Sequence, residues 1–179
     1  EVSVCRALPY SCSFSSWYRQ TIPADLEITM YKSCNSARQD DDMSRASNDP
    51  DARFSDRYQA SSAAALLEAE LEVLGGDYQA NGYTTLSQAE QIGFALRLQP
   101  GDRLLDLGSG CGFPGLYLAD RFGCSVITID PVSSGATTAS ARADRDSLAD
   151  HHLAVIGMGA ALPFRERCFD AIVHADVMC

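Results

Sequence analysis

An acidic side chain and four glycines follow one another over ten residues in the second half of the chain. Asp106 ends an apolar run, and glycine stands at positions 108, 110, 112 and 115. Glycine lets the backbone turn sharply and approach a ligand with no Cβ in the way. Helical spacing follows, so free N–H groups at the helix start can meet ligand carboxylate or phosphate oxygens. The stretch predicts a strand, a ligand-binding turn and a helix.

The last three of these glycines have the G-x-G-x-x-G spacing of dinucleotide sites, which is weak evidence alone. Asp106 lies two residues before Gly108, where it would repel a diphosphate and attract a ligand with a cationic head. A second acid, Asp130, ends the next predicted strand 24 positions later. An acid at that place accepts hydrogen bonds from ribose hydroxyls, so we expect a ligand that contains a nucleoside.

The residues LLDLGSGCGFPG at 104–115 resemble motif I of the class I S-adenosylmethionine-dependent methyltransferases. Leu-Pro-Phe at 162–164 and Phe-Asp at 169–170 resemble elements that precede strand four in the same family. The resemblance covers about residues 78–179. It implies an enzyme of the small-molecule type that uses S-adenosylmethionine and moves a methyl group in line to a small-molecule acceptor.

The resemblance also implies roles for single residues. Asp106 would act on the methionine end of the cofactor, directly or through the loop, with a strand-end helix cap as the alternative. Asp130 would hold the ribose, and Pro131 or Val132 would pack on adenine. Asp176 resembles an acid close to the transferred methyl and is the one weak catalytic candidate. The other implied cofactor-binding residues are Gly108, Ser109, Gly110, Gly112, Gly159, Ala160, His174, Tyr83 and Thr84.

Adenine recognition is where the sequence departs from the family pattern. Many relatives carry an acid after strand three, and Met158 takes that place here, followed by Gly159 and Ala160. Backbone groups and apolar packing would then replace the acid. His174 lies where relatives use a main-chain carbonyl near the methionine amine, and it reads more readily as a strand residue than as a base.

Strand and helix patterns alternate from residue 101 to the end of the chain. The strands are expected at 103–107, 125–129, 153–156 and 170–175, and the helices at 114–122 and 134–149. This alternation indicates an α/β fold: a Rossmann-like, doubly wound, mostly parallel sheet with helices on both faces. These would be its first four strands, in a cofactor-binding half-domain over residues 101–179.

Two regions precede this half-domain. Residues 53–100 are predicted to form a helical lid, with a helix from Ala60 to Leu74 that a Gly-Gly pair stops. The next helix would begin at a capping box, either Thr85 with Gln88 or Ser87 with Glu90. In residues 1–52 the apolar side chains recur with neither helical nor strand spacing, so this region is expected to be irregular or disordered.

Composition limits the partners. The 179 residues carry a formal net charge of −10, which disfavours nucleic acid and anionic membranes because these reward clustered Lys and Arg. Seven cysteines without a C-x-x-C pair indicate neither a zinc site nor a disulfide framework, so we expect no metal and a cytoplasmic location. The chain starts at Glu1 and stops after the fourth predicted strand. We therefore expect a fragment, with Met43 as a plausible natural start, and the pattern gives no oligomeric state.

Two other functions fit part of the pattern. A nicotinamide-dependent oxidoreductase would use the glycine spacing and Asp130, but Asp106 would oppose its diphosphate. A non-catalytic nucleotide-binding module would bind the cofactor without turning over an acceptor. Binding tests with both cofactors separate the first alternative, and turnover separates the second.

Overall fold

The structure is a computed structural model that describes residues 2–6, 50–60 and 63–176. Its strands are β1 (Val2–Arg6), β2 (Arg103–Leu107), β3 (Ser125–Asp130), β4 (His152–Ile156) and β5 (Ala171–Ala175). They form one sheet in the spatial order β1-β5-β2-β3-β4. The four strands β2 to β5 run parallel, as predicted, and β1 runs antiparallel to β5.

Five helices accompany the sheet in the described residues. They are α1 (Pro50–Ala60), α2 (Ala64–Leu74), α3 (Leu86–Ala95), α4 (Gly115–Phe122) and α5 (Ser133–Arg145). Thr85 and Gln88 form the reciprocal capping box of α3, so the first of the two predicted boxes is the one used. The predicted helix over 60–74 begins at Ala64 instead, because α1 is a separate helix that ends at Ala60. None of these helices has the length and apolar character needed to cross a bilayer.

The order in which the strands are added to the sheet reverses between β2 and β5. From β2 the chain moves outward through β3 and β4, then returns to place β5 on the other side of β2. A reversal of this kind leaves a crevice outside the carboxyl ends of the two central strands, which is where open α/β sheets bind ligands. The glycine loop follows β2, and Asp176 follows β5, so both lie at this crevice.

The two faces of the sheet are covered differently. On one face, residues of α3, α4 and α5 form a buried cluster with sheet residues such as Leu104, Val126 and Val173. On the other face, Leu105 and Ile129 pack with Phe169, and no helical residue belongs to that cluster in the described ranges. The described residues therefore place α3, α4 and α5 against one face of the sheet. The crossover from β4 to β5 contains Gly157, Gly159 and Pro163 and remains an irregular loop.

The N-terminal expectation needs a correction at β1. Residues 1–52 were expected to be irregular, yet Val2–Arg6 forms a strand whose residues pair in register with Ala171–Ala175. An unpaired strand edge exposes N–H and C=O groups, and this pairing satisfies those on the outer edge of β5. Met43 lies outside the described residues.

Candidate functional site

A cleft opens at the crevice between β2 and β5. The space inside it is about 540 Å³ when the open mouth is counted. Its floor is formed by the glycine loop at residues 108–111, and its walls come from α1, lid residues 79–84 and the end of β5. The cleft therefore joins the predicted lid to the predicted cofactor loop.

The glycine loop is held in a conformation that favours glycine. Gly108, Gly110 and Gly112 all have positive φ, between 51° and 94°. A Cβ on Gly112 would also come within 2.7 Å of a methyl carbon of Leu116. The N–H groups of Gly108 and Ser109 donate to the carbonyl of Ile129 at 2.8 and 3.2 Å, which fastens the start of the loop to β3.

Asp106 lies beneath this loop and does not line the cleft. Its side chain is buried, and its Oδ2 accepts a 2.9 Å hydrogen bond from the backbone N–H of Gly115 at the start of α4. Burial raises the pKa of Asp106 to about 7, against the lowering effect of that hydrogen bond. The geometry is that of the strand-end helix cap, the alternative considered above. Asp106 thus reaches a ligand only through the loop.

This position weakens one sequence argument. Asp106 was expected to oppose a diphosphate at the loop and so to distinguish a methyltransferase from an oxidoreductase. A buried carboxyl below the loop, with a pKa raised to about 7, presents little charge to the cleft. The distinction between the two cofactors must therefore rest on other observations.

Asp130 anchors the loop from the end of β3. Its Oδ2 accepts hydrogen bonds from the Gly110 N–H at 2.9 Å and from the Tyr58 hydroxyl at 3.3 Å. Its Oδ1 accepts from the Val132 N–H at 2.9 Å. Asp130 is only 3% exposed, so the acid predicted to hold the ribose is closed off in this conformation.

Asp176 fastens the lid to the sheet. Its Oδ2 accepts three hydrogen bonds: from the N–H of Tyr83 at 2.8 Å, the N–H of Thr84 at 3.1 Å and the Thr84 hydroxyl at 3.0 Å. A Cβ on Gly82 would fall 2.2 Å from the same oxygen, so the lid backbone approaches closely. Asp176 lines the cleft, and its observed contacts position the lid.

Arg142 ties the lid to the glycine loop from the opposite side. Its guanidinium donates to the carbonyls of Tyr78 and Cys111, the latter at 2.8 Å, and lies over the Tyr78 ring. The residue is 2% exposed, and burial lowers the pKa of the guanidinium from its ordinary value. A buried cation is costly in the absence of such contacts, so its place in α5 is set by the two carbonyls.

Residues 104–179 match the sequence profile of a family described as the methyltransferase domain. The match begins in β2 and spans the glycine loop, Asp130 and Asp176. This part of the chain is similar to that family, and the resemblance that the motifs indicate is thereby confirmed.

Proteins similar to this chain include two from Botryococcus braunii. Squalene methyltransferase 1 is 34% identical over 84 residues, which are 47% of this chain and 22% of that protein. Botryococcene C-methyltransferase is 32% identical over 99 residues, 55% of this chain and 26% of that protein. The chain thus spans about a quarter of the length of these curated relatives. A Geobacter sulfurreducens methyltransferase solved with S-adenosylhomocysteine is 34% identical, with 42% of this chain and 30% of that chain covered and a TM-score of 0.40.

The structure brings some of the predicted residues together and leaves others apart. Gly108, Ser109, Gly110, Thr84 and Asp176 all line the cleft. The remaining predicted residues are not among those lining it; they are Asp106, Gly112, Asp130, Pro131, Gly159, Ala160, His174 and Tyr83. Tyr83 is 88% exposed and contributes its backbone N–H to the Asp176 contact. His174 follows Val173 on β5, so its side chain points to the sheet face away from the helices.

Two residues at the site were not predicted from the sequence. Tyr58 reaches Asp130 across 72 positions, and nothing in the α1 sequence marks it. Arg142 offered a faint signal because it lies between Ala139 and Ala143 on the buried stripe of α5, where a charged side chain needs partners. Arg142 contacts the glycine loop at Cys111, and Tyr58 contacts Asp130.

Proposed function

We propose that this chain carries the S-adenosylmethionine site of a methyltransferase that acts on a small-molecule acceptor. The observation that carries the proposal is the loop of positive-φ glycines, which lies where the strand order of the parallel sheet reverses. The loop belongs to a segment that matches the methyltransferase domain family. Loop, lid and helix surround the cleft that opens at this point.

The residues present fit this cofactor. Gly108 and Gly110 line the cleft without a Cβ, so a ligand can lie directly on the backbone. Asp130, at the end of β3, is the acid that would accept hydrogen bonds from the ribose hydroxyls. When bound, S-adenosylmethionine supplies an electrophilic methyl group on a sulfonium. The Asp176–lid contacts would close the cleft over the methionine end and limit the access of water.

Small-molecule acceptors are supported by the relatives. The two Botryococcus braunii proteins are named for methyl transfer to squalene and botryococcene, and we infer an acceptor of the small-molecule class for this chain. The net charge of −10 supports the same choice, because nucleic acid backbones favour basic partners. A cytoplasmic location and the lack of a membrane partner remain predictions from the sequence.

Calorimetric titration of the 179-residue chain with S-adenosylhomocysteine and, separately, with NAD tests the proposal. We expect saturable binding of S-adenosylhomocysteine and no heat from NAD beyond dilution. Tight binding of NAD with no response to S-adenosylhomocysteine would contradict it and favour an oxidoreductase.

A further inference from the structure

The ribose-binding acid is inaccessible in this conformation. Asp130 is 3% exposed, and the Tyr58 hydroxyl and the Gly110 N–H share its Oδ2. A ribose hydroxyl must come within about 3 Å of a carboxylate oxygen to donate to it. Some group must therefore move before a nucleoside can use Asp130.

Tyr58 is the group that covers this acid. A Cβ placed on Gly110 would lie 3.4 Å from the Tyr58 ring, and one on Gly135 would lie 2.9 Å from it. The ring also belongs to a buried cluster with Cys111 and Val132. Tyr58 thus fills the space between the glycine loop and the first turn of α5, on the surface where adenine was expected to pack.

The chemistry of Tyr58 matches the ligand it would replace. Its flat apolar ring lies where a base would stack, and its hydroxyl donates to the carboxylate that would receive a ribose hydroxyl. Arg57 of α1 also donates to the carbonyl of Asn81, and Ser134 contacts Ser55 at 3.3 Å. Moving α1 aside would break these contacts together with the one to Asp130.

We propose that Tyr58 occupies the nucleoside subsite and competes with the cofactor for Asp130. This inference rests on the proposed function, because it takes Asp130 as the ribose acid. In the closed state the Tyr58 hydroxyl satisfies Asp130, and in the bound state the ribose does so after α1 has moved aside. The affinity measured for the cofactor is then its intrinsic affinity reduced by the fraction of molecules that are open.

Three variants of the 179-residue chain test the competition by calorimetric titration with S-adenosylhomocysteine and with adenosine. Tyr58→Ala removes the side chain that covers Asp130. It should tighten the binding of both ligands about fivefold or more, because no molecules would then be held in a closed state that cannot bind. Tyr58→Phe keeps the ring but not the donor, so its gain should be smaller. Gln59→Ala, on the exposed side of α1, is the matched control and should bind like the wild type.

The outcomes separate the alternatives. A variant that merely lost structure would bind more weakly, so tighter binding by Tyr58→Ala supports the proposal. Unchanged or weaker binding by a Tyr58→Ala variant that still unfolds cooperatively overturns it and makes Tyr58 either neutral or a contact to the bound cofactor. If the wild type and all variants fail to bind either ligand, the proposed function falls and this inference falls with it.

Hydrogen exchange on the wild type gives a second measurement that needs no substitution. Saturating S-adenosylhomocysteine should slow exchange in the glycine loop at 108–112. It should accelerate exchange in α1 around Tyr58, because that helix loses its contacts with Asp130 and α5. Slower exchange in α1 on binding would overturn the proposal, since α1 would then be packing over the cofactor.

Discussion

Asp106 accepts a 2.9 Å hydrogen bond from the backbone N–H of Gly115, and it does so from a buried position under the glycine loop. The contact joins the end of β2 to the start of α4, so it fixes where the loop between them begins and ends. A Cβ on Gly115 would lie 2.5 Å from the same carboxylate oxygen, which leaves no room for another residue without a shift.

Stability should depend on pH through Asp106. Burial raises its pKa from 3.8 to about 7, so the folded state keeps the proton over a range in which the unfolded chain has released it. The folded state therefore binds more protons than the unfolded state from about pH 4 to pH 7, and this group's contribution to the free energy of unfolding falls as pH rises through that window.

Asp106→Asn is the variant that isolates this effect, because it keeps the shape and an acceptor for the Gly115 N–H but does not ionise. Thermal unfolding of both proteins at pH 4, 5.5 and 7.5 gives the comparison. We expect the wild-type melting temperature to fall relative to that of Asp106→Asn as pH rises. A constant difference across the three pH values would contradict the buried, pKa-shifted carboxyl.

The Asp176 contact to the lid should matter for affinity. Asp176→Ala removes the acceptor of three donors, and hydrogen bonds to charged groups contribute about 1.5–3 kcal/mol each in favourable cases. We expect the lid to loosen and S-adenosylhomocysteine affinity to fall roughly tenfold, which corresponds to about 1.4 kcal/mol. Thr84→Val removes one of the three donors and should give a smaller loss. Equal affinity in all three proteins would show that the lid does not contribute to the site.

Arg142 and Arg145 form a matched pair on α5. Arg142 holds both Tyr78 of the lid and Cys111 of the loop, whereas the more exposed Arg145 pairs with Asp77 at 2.8 Å. Arg142→Met leaves two carbonyls without this donor, and each unsatisfied buried group costs about 1–3 kcal/mol. We expect cofactor affinity to fall about tenfold or more for Arg142→Met, by the conversion of about 1.4 kcal/mol per factor of ten.

Arg145→Met should change affinity by about twofold at most, because exposed ion pairs contribute only about 0–1 kcal/mol. Melting temperatures of both variants report the effect on stability separately from the titration. If Arg142→Met loses stability but binds S-adenosylhomocysteine like the wild type, Arg142 supports the fold and does not position the loop.

Asp130 has a structural role besides its proposed ligand role, and the sequence alone did not indicate the structural one. An acid that only faced a ligand at a strand end could be replaced without cost to the fold. The structure has Asp130 accepting from the backbone of Gly110 and Val132, so Asp130→Ala would also release the loop. We expect it to weaken S-adenosylhomocysteine binding by roughly 10- to 100-fold and to lower the melting temperature. A fall in melting temperature with unchanged affinity would contradict the ribose role.

Local sequence signals predicted the elements that position the site. β2 spans Arg103–Leu107 as predicted, and Gly123 ends α4 with a φ of 69°. Strand, loop and helix could be found because apolar runs, glycine spacing and caps are short-range features. The direction of the Asp106 carboxylate could not be predicted in this way, because an acid at a strand end can point either into the cleft or under the loop.

Long-range contacts were the part that the sequence could not provide. Tyr58 meets Asp130 across 72 residues, and β1 pairs with β5 near the other end of the chain. Each contact depends on the assembled sheet, which brings the carboxyl ends of β2, β3 and β5 to one edge. The pattern of residue types in one segment does not indicate which distant segment it will contact.

The position of S-adenosylhomocysteine in a crystal of its complex with this chain tests the central claim most directly. The account predicts that the ligand lies on the glycine loop between β2 and β5, with a ribose hydroxyl within hydrogen-bond distance of Asp130. A ligand bound elsewhere, or one whose ribose makes no contact with Asp130, would contradict the proposed cofactor site.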